Sequence, residues 1–367
     1  MAVKSRSSKT RSPGSTAREG AATLSRRKQE HIQACLDDEV DRRANTLASH
    51  KLRYLALPEM ALDEVSTETT FAGQSIAAPL IISCMTGGPG ATPARINRNL
   101  AKGAQALGIP LGLGSMRVLL AEPRARASFA VRDLAPGVPL IANLGLVSFN
   151  HGMGLEDVER IIDLVRPDVL GLHLNALQEV IQEGGDTDFR GLTAHLRTLC
   201  REVELPVFVK ECGGGIAPHL VEDLFRAGAD YVDISGNDGT SWAAVEGRLS
   251  SDPGMGELFK DFGLPTAWIL ERLSRAMVKD RRVVAGGGIR TGLQAAQALA
   301  LGAGYVTMAR PFLLAAMKSA GEVEALGRQV IDQLRTAMFL VGARDLAGLT
   351  REVLLEPPEF PRASRKS

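Results

Sequence analysis

Residues 283–292 read Val-Val-Ala-Gly-Gly-Gly-Ile-Arg-Thr-Gly, an apolar run that passes into three glycines and then into a helical pattern. This order predicts a strand, a tight turn and the start of a helix. Glycines let a ligand approach the backbone closely, and free N–H groups at a helix start attract anions. A second apolar run, at 305–308, ends in Ala309-Arg310-Pro311. Together the two stretches indicate a phosphate-binding site, although the glycines alone could simply form a tight turn.

Six more apolar runs precede these two, and helical patterns separate the runs. The eight runs begin at Leu80, Leu111, Leu140, Val169, Val207, Tyr231, Val283 and Tyr305. Alternating strands and helices imply a parallel sheet, and nearly continuous apolar runs imply strands buried on both faces. Eight units favour a closed barrel over an open sheet. We therefore predict an α/β fold, a (β/α)8 TIM barrel, in which the loops after strands seven and eight bind phosphate.

Composition limits the class of protein. The chain has 367 residues, 45% of them hydrophobic, which is enough for one large core. Its net charge of +1 gives no global sign of nucleic-acid or membrane partners. The four cysteines form no C-x-x-C pair, and neither a membrane-spanning stretch nor a signal-peptide core is visible. We predict a reduced, cytoplasmic enzyme with a small-molecule substrate.

Changes of composition divide the chain into four parts. Residues 1–24 form a basic tail that we predict to be disordered, with a transit peptide as the weaker alternative. Residues 25–79 form an N-terminal helical and hairpin extension, 80–346 the barrel, and 347–367 a C-terminal tail. In the extension, Arg27 and His31 lie one helical turn apart with Lys28 beside them. These three could bind a diphosphate, or they could belong to an ordinary solvated helix start.

Polar residues follow each apolar run at its end. Before the phosphate elements they are Met85 to Gly88, Gly114 to Arg117, Asn143 to Gly145, His173 to Glu179, Lys210 to Gly215 and Ser235 to Thr240. Active sites of such barrels lie at the C-terminal ends of several strands. The set therefore predicts an enzyme with a phosphorylated cofactor.

Two groups of strand-end residues suggest the kind of cofactor. Lys210 ends a buried strand and needs an anionic partner, either a cofactor ring or a carboxylate such as Glu211. Ser115, Asn143 and Thr240 are neutral hydrogen-bonding residues of the type that the edge of a flavin requires. Each could instead bond only to loop backbone.

The densest polar cluster follows strand four and contains His173, Asn175, Gln178 and Glu179. A carboxylate suits Mg²⁺, which usually takes one or two protein carboxylates together with phosphate oxygens. Glu179 could alternatively stabilise a helix N-terminus. Gln178 cannot titrate, so a proton carrier must come from elsewhere.

Eight motifs occur in an order that resembles a known family. They are Arg-Lys-x-x-His, Met-Thr-Gly-Gly, Gly-Ser-Met-Arg, Asn-Leu-Gly, Leu-His-Leu-Asn-Ala-Leu-Gln-Glu, Lys-Glu-x-Gly, Gly-Thr-Ser-Trp and Gly-Gly-Ile-Arg-Thr-Gly. Over residues 25–346 the chain resembles the type 2, FMN-dependent isopentenyl-diphosphate delta-isomerases. The resemblance implies interconversion of isopentenyl and dimethylallyl diphosphate by reduced FMN acting as acid and base, with Mg²⁺, NADPH as reductant, and a homotetramer or homo-octamer.

The resemblance also implies roles for individual residues. Those expected to bind the flavin and its phosphate are Met85, Thr86, Gly87, Ser115, Asn143, Lys210, Ser235, Thr240, Gly288, Ile289, Arg290, Ala309 and Arg310. Those expected to bind the substrate are Arg27, Lys28, His31, Ser115, Arg117, His173, Asn175, Gln178 and Trp242, with Glu246 nearby. Gln178, Lys210 and His173 would serve catalysis, and Glu179 would bind the metal. Two residues depart from the family pattern, Asp238 where glycine is expected and Cys212 where an aliphatic residue is expected.

Three other interpretations compete with this one. Another FMN-dependent barrel oxidoreductase of the hydroxy-acid type would need a histidine after strand six, and residues 235–240 contain none. An enzyme with a nucleophilic cysteine would have Cys212 as its remote candidate. A non-catalytic flavin- or prenyl-diphosphate-binding regulator could lose Gln178 and Glu179, which are present here.

Overall fold

A computed structural model describes residues 30–41 and 45–355, so Arg27, Lys28 and the proposed basic tail lie outside the described residues. An antiparallel hairpin comes first, followed by eight parallel strands that close into a barrel. The hairpin strands are β1 (Thr69–Phe71) and β2 (Gln74–Ile76). The barrel strands are β3 (Leu80–Ile82), β4 (Leu111–Gly112), β5 (Leu140–Gly145), β6 (Val169–Leu174), β7 (Val207–Glu211), β8 (Tyr231–Asp233), β9 (Val283–Ala285) and β10 (Tyr305–Met308). The predicted barrel is confirmed, and each strand begins at the residue expected from its apolar run.

Helices surround the barrel, and the first one described continues from residue 30 to residue 36 and is called α1. The others are α2 (Ala91–Leu107), α3 (Arg117–Ala121), α4 (Arg126–Phe129), α5 (Leu155–Val165), α6 (Ala176–Ile181), α7 (Leu192–Glu202), α8 (Pro218–Arg226), α9 (Trp242–Leu249), α10 (Pro253–Phe259), α11 (Thr266–Glu271), α12 (Arg275–Asp280), α13 (Gly292–Leu301), α14 (Arg310–Lys318) and α15 (Ala320–Val341). Within 30–41 and 45–355, no helix is long and apolar enough to cross a membrane.

Strand register determines which polar side chains become neighbours. His173 on β6 pairs with Lys210 on β7, and Lys210 pairs with Asp233 on β8. Gly145 at the end of β5 pairs with His173 from the other side. In-register residues of adjacent parallel strands point to the same face, so these side chains gather at one end of the barrel.

The hairpin closes the opposite, N-terminal end of the barrel. Its turn has positive φ at Ala72 (49°) and Gly73 (75°), as a tight two-residue hairpin requires. The Phe71 ring lies 4.6 Å from the ring of Tyr231 and 5.3 Å from that of Tyr305, the first residues of β8 and β10. The Ala72 N–H also donates to the Tyr231 hydroxyl. Because Phe71 is fully buried, the hairpin forms a hydrophobic plug at this end.

Candidate active site

A cavity of about 410 Å³ opens at the C-terminal end of the barrel. Its size lies within the range that is usual for cofactor and substrate sites. Every predicted site residue that the structure describes lines this cavity. They are His31, Met85, Thr86, Gly87, Ser115, Arg117, Asn143, His173, Asn175, Gln178, Glu179, Lys210, Ser235, Thr240, Trp242, Gly288, Ile289, Arg290, Ala309 and Arg310. The structure therefore brings residues from all eight strand ends and from α1 around one space.

The glycines of the opening motif form a close-packed turn at one end of the cavity. Gly287 and Gly288 have φ of +88° and +80°, which side chains rarely adopt. A Cβ on Gly288 would also lie only 2.3 Å from the Asp238 carbonyl oxygen. The nearby helix α14 begins without a side-chain cap from Ala309. A glycine turn next to an uncapped helix start matches the chemistry of a phosphate-binding site.

The two arginines at this end contact the N-terminal extension. Arg290 Nη2 lies 2.8 Å from Asp41 Oδ1, and Arg310 Nη1 lies 3.3 Å from Asp41 Oδ2. Arg310 Nε also donates to the Cys35 carbonyl oxygen, at 2.8 Å. The Arg310 side chain thus binds the extension, while its backbone begins α14. Asp41 was missed in the sequence analysis, because nothing local to its sequence places it between two distant arginines.

A buried hydroxyl indicates where a polar ligand fits. Thr86 is 5% exposed and lines the cavity, and its Oγ1 has no hydrogen-bond partner among the described residues. Buried polar atoms are normally bonded, so a bound group that supplied a partner would complete this site. On the adjoining wall, Asn143 Oδ1 and His173 Nδ1 are 3.1 Å apart. Thr86, the cation of Lys210 and the glycine turn together fit a flavin with its phosphate.

Lys210 is buried among groups that raise its pKa overall. Its Nζ donates to the Glu211 carbonyl oxygen at 2.7 Å and lies 3.7 Å from Cys212 Sγ. Burial pulls the pKa of Lys210 down, while the charges of Cys212, Cys84, Asp233 and Glu211 push it up. Burial in turn raises the thiol pKa to about 11 in Cys212 and about 12 in Cys84. Because both thiols are therefore neutral at pH 7, the carboxylates are left to keep Lys210 charged.

Asp233 is a site residue that the sequence analysis missed. It is fully buried beside Lys210 in the register, and burial is the largest cause of its raised pKa. Its Oδ1 accepts bonds from the N–H and hydroxyl of Ser235, both at 3.0 Å, and its Oδ2 from Thr307 Oγ1 at 2.9 Å. Ser235 has a φ of 27°, which is strained for a serine. Asp233 therefore fixes a predicted flavin contact in an unusual conformation.

The Glu211 carboxylate also organises the loop after β7. One carboxylate oxygen, Oε2, accepts the backbone N–H groups of Gly213, Gly214 and Gly215. Burial raises the pKa of Glu211 to about 7, although these N–H bonds act in the opposite direction. The glycine loop thus folds around the carboxyl group of Glu211, a half-buried residue.

A polar network lines the end predicted to bind substrate. Gln178 Nε2 donates to Glu246 Oε1 at 2.7 Å, and His31 Nε2 lies 2.9 Å from the same oxygen. The rings of His31 and Trp242 meet edge to face, with centroids 5.4 Å apart. Asn175 Nδ2 lies 3.3 Å from Gln178 Oε1. Glu246, which is 1% exposed, therefore holds the Gln178 amide by a hydrogen bond and lies beside the His31 ring.

Glu179 lies next to this network. Its Oε1 accepts from Asn175 Nδ2 at 2.7 Å, and its Oε2 from the Asp186 N–H at 2.8 Å. Asn175 Oδ1 is buried and has no partner in the described part of the chain. Arg117, at the mouth, donates to Asp186 Oδ2 at 2.6 Å. Among the described residues, no three His, Cys, Asp or Glu side chains are arranged to hold a metal.

The structure accounts for the charge of Asp238, which departs from the family pattern. Its Oδ2 accepts bonds from Thr46 Oγ1 at 2.7 Å and from the Thr266 N–H at 2.9 Å. Asp238 is 5% exposed and is not part of the cavity lining. Its carboxylate therefore joins the N-terminal extension to α11. Cys212, the other departure, does line the cavity.

Comparison with known proteins shows which family the chain resembles. The model of the FMN-dependent dehydrogenases matches residues 20–130 and 169–356. An isopentenyl-diphosphate delta-isomerase from Synechococcus sp. is 42% identical over 341 residues, which cover 92% of this chain and 97% of that protein. One from Deinococcus radiodurans is 41% identical over 322 residues, covering 87% and 95%.

Solved structures share the fold. A flavocytochrome b2 variant gives a TM-score of 0.65 at 17% identity, covering 91% of this chain and 86% of that one. A mandelate oxidase variant gives 0.58 at 19% identity, covering 86% and 93%.

Proposed function

The chain belongs to the family of FMN-dependent isopentenyl-diphosphate delta-isomerases, and from this we propose that it interconverts isopentenyl diphosphate and dimethylallyl diphosphate. One observation carries the proposal. A single cavity joins an end suited to a flavin phosphate, at Gly288, to a polar network at Gln178 and His31. A flavin and a second, small ligand can therefore lie next to each other.

The chemistry divides between the cofactor and the protein. Reduced FMN, when bound, supplies the acid and the base that move a proton on and off the alkene, with no net oxidation. Lys210 provides a fixed positive charge for an anionic ring, and such charges act strongly in a dry site. Gln178 cannot carry a proton, so we assign it to positioning the alkene end, since Glu246 fixes its amide. His173, fixed by Asn143, faces the same cavity.

We propose that the diphosphate lies near Arg117 and His31, with Mg²⁺ on its oxygens and Glu179 as the protein ligand. The support is chemical: Glu179 is a buried carboxylate on the cavity wall, and the unpartnered Asn175 Oδ1 is beside it. One carboxylate together with phosphate oxygens is a common way to bind Mg²⁺. NADPH is our proposed reductant for the flavin.

We further propose a cytoplasmic homo-oligomer, a tetramer or an octamer. All four cysteines are free thiols, as expected in a reducing compartment. Large apolar side chains are exposed, including Leu258 (73%) and Phe262 (64%), and contact between copies would cover such groups. Light scattering would give the mass of the assembly.

The decisive experiment measures turnover in D2O under anaerobic conditions. Purified protein is given isopentenyl diphosphate, Mg²⁺ and FMN reduced by NADPH. We expect dimethylallyl diphosphate carrying deuterium, formed in large excess over the NADPH consumed, because the flavin is reduced once and then reused. Lys210→Met should abolish turnover, whereas Lys102→Met, which changes an exposed lysine on α2, should not.

Other outcomes identify the competing functions. Consumption of one NADPH for each substrate molecule would indicate an oxidoreductase. Tight binding of FMN and of isopentenyl diphosphate without turnover would indicate a regulator.

A further inference from the structure

The N-terminal extension crosses the cofactor end of the site. Residues 38–41 and 45–46, which we call the clasp, contact the loops after β8 and β9 and the start of α14. The contacts are the backbone bridge between Asp41 and Thr240, the bond from Asn45 Nδ2 to the Gly288 carbonyl oxygen, and the bond from Thr46 Oγ1 to Asp238. The clasp therefore lies against three elements that line or adjoin the phosphate end of the cavity.

Ion pairs dominate these contacts. Asp41 pairs with both Arg290 and Arg310, and Asp38 Oδ1 lies 2.7 Å from Arg310 Nη2. The side chains of Asp41 and Arg310 are only 14% and 10% exposed. Removing one partner of a shielded pair leaves an uncompensated charge, so these contacts matter more than surface pairs do.

Arg310 also connects the clasp to the helix that carries His31. Its guanidinium donates to the carbonyl oxygens of Cys35, at 2.8 Å, and Leu36, at 3.1 Å. These carbonyls lie at the end of α1, where helix carbonyls lack partners and a cation is favourable. One side chain thus stabilises the end of α1, while its own backbone begins α14 at the phosphate end.

We propose that the clasp couples binding of the flavin phosphate to the placement of α1, with Asp41 as the positioning residue. The inference rests on the proposed function, since it requires a phosphorylated cofactor at this end. Asp41 holds Arg290 and Arg310 on the clasp side, and a phosphate attracts both from the cavity side. Each anion orients the two cations for the other, so FMN stabilises the clasp and the clasp tightens FMN. Such coupling must be reciprocal.

The first test follows hydrogen–deuterium exchange of residues 30–41 in the full chain, with FMN bound and with FMN removed. We expect FMN to slow exchange in this segment. Asp41→Asn should abolish the FMN-dependent difference and weaken FMN binding about tenfold, a size typical of coupled sites. The matched control is Glu39→Gln, which removes a neighbouring carboxylate that pairs with Arg248 instead. It should behave like the parent protein.

A second variant and a kinetic measurement complete the test. Asp38→Asn removes a contact to Arg310, whereas Asp41→Asn removes contacts to both arginines, so Asp38→Asn should weaken FMN binding less. With FMN saturating, Asp41→Asn should raise KM for isopentenyl diphosphate more than it lowers kcat, because α1 and His31 are displaced.

The direction in which Asp41→Asn changes the affinity for FMN decides whether the inference holds. If Asp41→Asn binds FMN as tightly as the parent or more tightly, Asp41 does not strengthen FMN binding and the proposed coupling is wrong. Unchanged exchange of 30–41 on FMN binding to the parent also overturns it. If the parent protein binds FMN but does not isomerise the substrate, the proposed function is wrong. The hydrogen–deuterium exchange of residues 30–41 and the FMN affinity of the variants would still test the role of the clasp. A parent that binds no FMN overturns both.

Discussion

At the residue scale, Glu179 shows how one side chain can be tested for two roles. Its carboxylate accepts from the Asn175 side chain and the Asp186 backbone, so it is already bonded without a metal. The interpretation as a helix N-terminal carboxylate predicts only a small stabilisation of about 0.3–1 kcal/mol. The proposed metal role predicts a change in the Mg²⁺ requirement.

We expect Glu179→Gln to bind FMN normally but to need much more Mg²⁺ for half-maximal rate. The shift should exceed the roughly tenfold loss seen when an outer partner of a metal site is changed, because a neutral amide binds a hard cation poorly. Titration of Mg²⁺ against the isomerisation rate measures this. Glu183→Gln is the control, since Glu183 is exposed and accepts from the Ser251 N–H. Superimposable curves for Glu179→Gln and the parent would exclude Glu179 as the ligand.

The residues missed from the sequence share a physical feature. Asp41 acts through arginines more than 240 positions away, and Asp233 acts through the strand register. Neither relation has a local signature in the sequence. Lys210 and Gln178 could be predicted, because a polar residue at the end of an apolar run stands out.

At the element scale, the hairpin plug should contribute to stability without affecting cofactor binding. Phe71 is fully buried against Tyr231 and Tyr305 at the end of the barrel opposite the cavity. The sequence analysis expected a hairpin somewhere within residues 25–79, and its strands occupy Thr69–Phe71 and Gln74–Ile76. The strand starts of the barrel were predicted to the residue, because continuous apolar runs mark strands buried on both faces. A short hairpin has no such run.

Phe71→Ala should lower the free energy of unfolding by about 3–5 kcal/mol, the usual cost of emptying a buried aromatic site. FMN affinity should remain that of the parent, because the change lies at the other end of the barrel. Urea denaturation and flavin fluorescence measure the two quantities. Thr70→Ala is the control, since Thr70 is a polar, exposed residue of the same strand and its change should cost little. A large loss of FMN affinity in the folded Phe71→Ala protein would contradict this expectation.

At the scale of the whole molecule, the barrel brings residues that are far apart along the chain to one cavity. Residues 31 and 310 stand almost at opposite ends of the described chain, yet both line the cavity. Motif order could predict this meeting, since each motif follows a strand of a closed barrel. The bonds inside the cavity, such as Gln178 to Glu246, depend on side-chain positions that no motif specifies.

Cys84 and Cys212, which are half-buried in the cavity wall, bear on how the protein tolerates oxygen. Reduced flavin reacts with oxygen to give hydrogen peroxide, and peroxide attacks thiolates rather than thiols. Both cysteines line the cavity, yet their raised pKa values keep them protonated at pH 7. The protein should therefore survive the by-product of its own cofactor. After prolonged aerobic turnover, thiol titration of the unfolded chain should still find all four free cysteines, and a loss confined to these two would show that protonation does not protect them.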